Sequence, residues 1–114
     1  MPFIDLSLTK KLTPEGENSI KNALGKAISI FPGKNEAWLM CKISDGAHMW
    51  FQGNNDGESA FAEVKLFGSV DSAAASRFTR ELCAILEKEA GVAPSRTYVR
   101  YTGGNDWGWN SSNF

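Results

Sequence analysis

The stretch MPFIDLSL, residues 1–8, decides the first element of the fold. Ile4, Leu6 and Leu8 recur at every second position, which is typical of a β-strand with one buried face. A second alternating stretch, 59–67, repeats this pattern in the other half of the chain. The chain therefore reads as two similar halves, each of which begins with a strand.

A helical pattern follows each of these strands. Thr13 and Pro14 form the start signal of the first helix, as N-cap and first helical residue, and 32–33 (PG) ends it. Asp71 is the predicted N-cap of the second helix, and Gly91 fits the position just after its end. Apolar residues recur at helical spacing in both segments: Ile20, Ala23, Leu24, Ala27, Ile28 and Phe31, then Ala74, Ala75, Phe78, Leu82, Ile85 and Leu86.

Further strands complete the pattern. The sequence predicts strands at 37–43 and 96–102, with a short added strand at 48–52. A strand–helix–strand unit implies a right-handed crossover between parallel strands. The predicted fold class is α+β: one domain over 1–114, in which two βαβ units form a four-stranded mixed sheet with both helices on one face.

The sheet face turned away from the helices is predicted to be mixed. It carries both aromatic or apolar and charged side chains: Phe3, Trp38, Met40, Phe61, Phe67 and Tyr98 with Asp5, Lys42, Glu63, Lys65 and Arg100. So much apolar surface is unfavourable in water. The mixed face therefore predicts oligomerisation around the sheets, or a ligand surface.

Composition narrows the range of partners. The chain has 114 residues, a net charge of −1 and 42% hydrophobic residues, which is ordinary for a soluble globular protein. Without a basic patch, we expect neither nucleic acid nor an anionic membrane as a partner. No apolar stretch is long enough to span a bilayer, and the N-terminus lacks the layout of a signal peptide. We expect a cytoplasmic protein, with leaderless secretion left open.

The thiols and the imidazole do not form a recognisable site. Cys41 and Cys83 are far apart and fall on a predicted strand and a predicted helix, so we expect two free thiols. His48 is the only histidine. The sequence therefore predicts no metal site and no histidine-based triad.

Pro2 is the residue with the clearest chemistry. A methionine followed by a small residue is usually removed, which would leave Pro2 with a free secondary amine. An α-amino group ordinarily titrates near ~8. Burial in an apolar pocket beside another cation disfavours the protonated form and moves the pKa towards neutrality. Such an amine is a general base at physiological pH.

Several motifs together identify a family resemblance. They are the start 1–4 (MPFI), the turn 32–34 (PGK), the segment 96–99 (RTYV) and the tail triplet 108–110 (GWN). With these motifs the chain resembles, essentially end to end, the macrophage migration inhibitory factor branch of the tautomerase superfamily.

The resemblance implies site residues. Pro2 falls on the family's catalytic base, and Lys34 falls on its active-site lysine, which also binds substrate. The other substrate-binding positions implied are Trp38, Phe67 through its backbone amide, Tyr98, Arg100, Trp107 and Trp109. The resemblance further implies a homotrimer whose inner barrel is formed by three sheets, with active sites at the subunit interfaces.

The function implied is that of a keto–enol tautomerase of the phenylpyruvate or dopachrome type. It is an isomerase, an intramolecular oxidoreductase that acts on a small aromatic enol or keto acid and needs no cofactor. The alternative is a cytokine-like receptor-binding protein with a vestigial tautomerase site.

The chain departs from the family pattern at three places. A Cys-x-x-Cys pair of the cytokine members is replaced by 59–62 (SAFA), so thiol–disulfide activity is not expected. Arg100 stands where many members have Asn, and it either pairs with Glu63 or contacts substrate. Trp107 replaces a smaller aliphatic residue. We expect a pocket that is narrower, flatter and more positive than in the cytokine members.

Overall fold

The computed structural model describes residues 1–114. Its helices and strands in chain order are β1 (Pro2–Leu8), α1 (Pro14–Ala27), β2 (Met40–Ser44), β3 (Ala60–Phe67), α2 (Ser72–Ala90), β4 (Thr97–Gly104), β5 (Gly108–Trp109) and β6 (Ser112–Asn113). Short 3₁₀ turns lie at Ile28–Ile30, Glu36–Trp38 and Pro94–Arg96. Neither long helix combines the length and the hydropathy that a membrane span requires.

The first four strands form one sheet in the order β2–β1–β3–β4. β1 is parallel to β2, β3 is parallel to β4, and the two pairs join antiparallel between β1 and β3. Parallel neighbours require a crossover connection, which α1 and α2 supply. The two helices contact each other and share one core with the sheet. The predicted mixed sheet of two βαβ units is confirmed.

The helix ends follow the predicted signals. The Thr13 side chain accepts a hydrogen bond of 3.0 Å from the Gly16 N–H, and the Asp71 carboxylate accepts one of 3.0 Å from the Ala74 N–H. Each bond satisfies a backbone donor that the first helical turn leaves free. Gly91 ends α2 with φ +65°, a left-handed conformation that a residue without Cβ adopts at little cost.

The core lies between the helices and one face of the sheet. It contains 20 buried residues: Ile4, Leu6, Leu8, Ile20, Leu24, Ala27, Ile28, Phe31, Ala60, Ala62, Val64, Leu66, Ala74, Ala75, Phe78, Leu82, Ile85, Leu86, Ala90 and Val92. The alternation in β1 and β3 directs every second side chain into this core. The intervening side chains form the opposite, open face of the sheet.

The predicted strand at 37–43 is wrong at its beginning. Glu36–Trp38 is a 3₁₀ turn, and the strand runs from Met40 to Ser44. The Asn35 side chain caps this turn by accepting a 2.9 Å hydrogen bond from the Ala37 N–H. An Asn side chain competes in this way with the ladder bonds of a strand. Trp38 therefore does not belong to the mixed sheet face where the sequence pattern put it.

The predicted short strand at 48–52 is also wrong. The segment holds only an isolated bridge between Phe51 and Asn54, closed by backbone hydrogen bonds of 2.8 and 3.1 Å. Gln52 and Gly53 between them both have positive φ, 53° and 80°. This is the backbone of a tight two-residue turn. The chain therefore pairs with itself here and adds no strand to the sheet.

Candidate active site

A cavity of about 560 Å³ opens where the N-terminal end of β1 meets the 3₁₀ turn before β2 and the C-terminal tail. Its walls are mostly apolar and are formed by Met1, Pro2, Phe3, Ala37, Trp38, Leu39, Met40, Lys65, Trp107, Gly108 and Trp109. Apolar concave sites with few polar groups are where small ligands bind. This cavity brings together four of the predicted site residues: Pro2, Trp38, Trp107 and Trp109.

Pro2 is held in the cavity wall by the sheet. It is the first residue of β1, is buried, and lies opposite Leu66 of the antiparallel neighbour β3. A proline has no N–H to donate to a strand ladder, so the first residue of a strand is one of the few places that tolerate it. The ladder fixes where the Pro2 nitrogen lies.

Two tryptophans form an aromatic corner of the cavity. The rings of Trp38 and Trp109 meet edge to face, with centroids 5.2 Å apart and an interplanar angle of 89°. Both side chains keep about half of their surface exposed, 50% and 56%. Trp109 is positioned by the β5–β6 hairpin, whose turn residues Asn110 and Ser111 both have positive φ. The sequence placed both rings in a pocket, but this hairpin was not predicted.

Lys34 and Phe67 are linked to Met1, the first residue of the chain, by hydrogen bonds. The Phe67 N–H donates a 3.1 Å hydrogen bond to the Met1 carbonyl, which extends the β1–β3 ladder by one residue. The Lys34 ammonium donates a 3.0 Å bond to the Phe67 carbonyl. Lys34 itself lines a separate, smaller cleft of about 270 Å³. Met1 thus lies between the aromatic cavity and the two predicted oxygen-binding groups.

The environment of the chain terminus disfavours a positive charge. Partial burial, and then the nearby charge of Lys34, lower the pKa of the Met1 α-amino group below its ordinary value. The free amine is more abundant here near neutral pH than it is at a solvated terminus.

Tyr98 and Arg100 do not reach this cavity within one chain. Both lie on β4, which is separated from β2 by two strands. Tyr98 is 65% exposed, and its ring meets that of Phe51 edge to face, with centroids 5.3 Å apart. Arg100 lies opposite Glu63 in the strand register, yet the ion pair of Glu63 is with Lys65, at 3.8 Å. The structure of one chain therefore assigns Arg100 neither of its two proposed contacts.

Sequence reasoning did not assign Lys65 to the site. The alternating pattern of 59–67 placed Lys65 correctly on the open face of the sheet. In the structure it lies opposite Phe3. The missing information was the register between β1 and β3, which pairs Pro2 with Leu66 and so sets Lys65 beside the cavity. The buried Leu66 and the proline at the strand start were the available signals for that register.

Comparisons with known proteins point to one family. The sequence profile described as Macrophage migration inhibitory factor (MIF) matches residues 1–114. Among solved structures, MIF2 of Leishmania major is 28% identical with a TM-score of 0.92, and the match covers 100% of this chain and 97% of that one. The MIF-like protein EhMIF of Entamoeba histolytica is 24% identical with a TM-score of 0.88, covering 99% and 98%.

A more distant match is Pt0534, whose structure was solved after inactivation by 2-oxo-3-pentynoate. It is 16% identical with a TM-score of 0.81, and the match covers 97% of this chain and 94% of that one. A search of curated protein sequences gives no match.

Proposed function

Since this chain belongs to the macrophage migration inhibitory factor family, we propose that it is a keto–enol tautomerase that uses the N-terminal amine of Pro2 as its general base. The observation that carries the proposal is the position of Pro2. It lies in the wall of an aromatic cavity, at a chain end where burial and Lys34 disfavour a protonated amine. We propose an aryl-pyruvate enol or a dopachrome-type compound as substrate.

The reaction moves one proton between carbon and oxygen. The Pro2 amine takes the proton from the enol oxygen or from the α-carbon and returns it to the other atom, so no atoms or electrons are gained or lost. A base whose pKa is near the working pH is best suited to this transfer, which contributes roughly 10²–10⁴-fold. The cavity itself would hold the substrate in the reacting orientation.

The substrate's oxygens need donors next to the base. Lys34 and the Phe67 N–H lie side by side, joined through the Phe67 carbonyl. Both can donate to a carboxylate or to the negative charge that develops on an enolate. Trp38, Trp107 and Trp109 would pack against the ring. The structural neighbour Pt0534 is inactivated by 2-oxo-3-pentynoate, a 2-oxo carboxylate, and this favours a 2-oxo acid as the ligand class in our proposal.

Removal of Met1 would have two effects. While Met1 is present, the Pro2 nitrogen is an amide nitrogen and has no basicity. The Met1 carbonyl also accepts the hydrogen bond of the Phe67 N–H. Its removal creates the base and releases this donor, and an unpaired donor in a partly buried place favours a new acceptor. The active species in this proposal begins at Pro2.

The open face of the sheet supports a homotrimer. Met40 and Tyr98 lie on that face and are 67% and 65% exposed. A neighbouring chain packed there would cover this surface. It would also carry its own Tyr98 and Arg100 towards the cavity, which one chain cannot do.

The direct test is turnover of phenylpyruvate enol and of dopachrome by protein whose N-terminus has been checked by mass spectrometry. The matched variant is Pro2→Gly, which keeps a terminal amine but not the ring. We expect activity from the wild type that begins at Pro2, and strongly reduced activity from the variant. Full activity in protein that retains Met1 would contradict the role of Pro2. Light scattering tests the trimer, and a fully active monomer would contradict it.

A further inference from the structure

Within one chain, the aromatic cavity contains one charged side chain, Lys65, to which the proposed reaction gives no role. All other side chains that one chain contributes to the cavity are uncharged. A lone ammonium in a mostly apolar cavity fixes the orientation of a ligand, because it is the strongest polar contact that the walls offer. The position of Lys65 therefore bears on which aryl acids the site accepts.

Strand pairing determines where this ammonium can reach. Lys65 lies on β3 opposite Phe3, one residue before the partner of Pro2. Its Nζ lies 6.0 Å from the centre of the Phe3 ring. The aliphatic part of the side chain thus runs along an apolar wall while the charged end stays accessible, as is usual for lysine.

The existing partner of Lys65 is weak. The Glu63 carboxylate lies 3.8 Å from the Lys65 ammonium, and the two side chains are 46% and 41% exposed. Ion pairs as exposed as this one contribute little, since water screens both charges. A ligand carboxylate held against the tryptophans would be better shielded from water and can displace Glu63.

A second ammonium group, that of Lys34, is hydrogen-bonded to β3, the strand that carries Lys65. Lys34 bonds to the carbonyl of Phe67, two residues beyond Lys65. Two residues of a strand span roughly 7 Å. Pro2 lies beside this segment, opposite Leu66. An aromatic ring with an acidic group at each end is long enough to extend from one of these strand positions to the other, past Pro2.

We propose that Lys65 is a specificity-determining residue that selects aryl 2-oxo acids carrying a second anionic group on the ring. This rests on the aryl-acid ligand class of the proposed function. The reacting carboxylate lies at Lys34 and the Phe67 N–H, the ring packs on the tryptophans, and the second anion binds Lys65. A neutral ring leaves Lys65 with Glu63.

The test uses ligands that cannot tautomerise, so that binding is separated from turnover. Cinnamate and para-carboxycinnamate are titrated into protein that begins at Pro2, and the fluorescence of the cavity tryptophans reports binding. The variant is Lys65→Met, which keeps the length of the side chain and removes its charge. The matched control is Lys42→Met, an exposed lysine on β2 that does not line the cavity.

We expect wild type to bind para-carboxycinnamate about tenfold more tightly than cinnamate, the low end for a charge-assisted hydrogen bond because Lys65 is half exposed. Lys65→Met should abolish this preference and leave the affinity for cinnamate within about twofold, while Lys42→Met and Lys65→Arg should retain it. The preference should also decrease with added salt. A wild type without preference, or a Lys65→Met protein that keeps it, would overturn the proposal.

Phenylpyruvate turnover, measured in parallel, separates the two proposals. A charge preference without turnover leaves Lys65 as the selecting residue and removes the tautomerase. Turnover without a charge preference supports the tautomerase and rules out Lys65 as the selecting residue.

Discussion

The two strand–helix–strand units of this chain share one plan but differ in regularity. The second unit has two eight-residue strands and a 19-residue helix with a firm cap at each end. In the first unit β2 has only five residues, and a 3₁₀ turn replaces its beginning. The cavity lies at this irregular end of the first unit. The second unit provides much of the core, and its strand β3 sets the register of β1. The site forms where the first unit departs from the regular strand–helix–strand pattern.

The largest effect on activity should come from whether Met1 is retained or removed. Protein that retains Met1 lacks the base, so we expect kcat/KM for phenylpyruvate enol to fall by at least the roughly 10²–10⁴-fold that general base catalysis contributes. The Met1 carbonyl also occupies the Phe67 N–H, so binding of cinnamate should weaken as well. Titration and kinetics on protein of defined mass measure both.

An acetylated protein separates the Met1 carbonyl from the rest of that residue. Protein that begins at Pro2 but is acetylated on its nitrogen lacks the base and the Met1 side chain, while the acetyl carbonyl takes the place of the Met1 carbonyl at the Phe67 N–H. We expect it to be inactive and to bind cinnamate as weakly as the Met1 form. Clearly tighter binding by the acetylated form would show that the Met1 side chain, and not its carbonyl, obstructs the site.

Stability should depend on the second unit. Phe78 of α2 is fully buried and packs on Phe31 and Tyr101, with ring centroids 5.3 and 6.3 Å apart. Phe78→Ala should lower the free energy of unfolding by about 3–5 kcal/mol through lost burial and a cavity. Trp38→Ala in the first unit removes a half-exposed ring and should cost far less stability, while weakening aryl-acid binding. Urea unfolding compares them.

If Phe78→Ala does not fold, Phe78→Leu gives a milder version of the same comparison. A Trp38→Ala protein as unstable as the Phe78 variant would mean that the cavity wall also contributes substantially to the stability of the fold.

The regular unit is also the more predictable one. Alternation in β3 and helical spacing in α2 follow from the burial of one face, so the sequence alone places both correctly. The errors fall at 37–43 and 48–52, where local hydrogen bonds decide the backbone. The Asn35 cap and the positive φ of Gln52 depend on side-chain and turn geometry that a hydrophobic period does not contain.

The site could be predicted only in part for a related reason. Pro2 was found because it belongs to a motif and Trp38 because the family resemblance implied it, and the structure brings both to one cavity. Lys65 carries no motif, and its proximity to Pro2 depends on strand register. In the proposed trimer, the contacts of Arg100 would depend on how the chains pack, which neither the sequence nor one chain defines.

Lys34 should affect both the pKa of the base and substrate binding. Burial, and then the charge of Lys34, lower the pKa of the Met1 α-amino group, and we expect the same for the Pro2 amine once it is the chain terminus. In the proposed mechanism activity requires the unprotonated amine, so it rises with pH through that pKa. Lys34→Ala raises the pKa and should move this rising limb to higher pH. Losing a charge-assisted hydrogen bond should lower kcat/KM for a carboxylate substrate by about 10–100-fold.

Lys26→Ala is the matched control, because Lys26 is exposed in the last turn of α1. Its pH profile should match the wild type. Arg100→Asn should have a smaller effect than Lys34→Ala if Arg100 pairs with Glu63, and a comparable one if it contacts substrate. An unchanged profile and kcat/KM in Lys34→Ala would make Lys34 a residue of the turn only.

The smallest effect compares the two helix caps. The capping hydrogen bond of Thr13 in α1 is exposed, whereas that of Asp71 in α2 is partly buried. Asp71 also adds a negative charge at the positive end of the helix dipole. Removing either cap should cost about 1 kcal/mol of unfolding free energy, with the larger loss in Asp71→Ala. Asp71→Asn keeps the acceptor and loses the charge, so its stability should lie between wild type and Asp71→Ala. Urea midpoints for the three variants, measured at low and high salt, separate the hydrogen bond from the charge, since only the charge contribution is screened. A larger loss in Thr13→Ala would reverse the comparison and make the first unit the one whose helix limits stability.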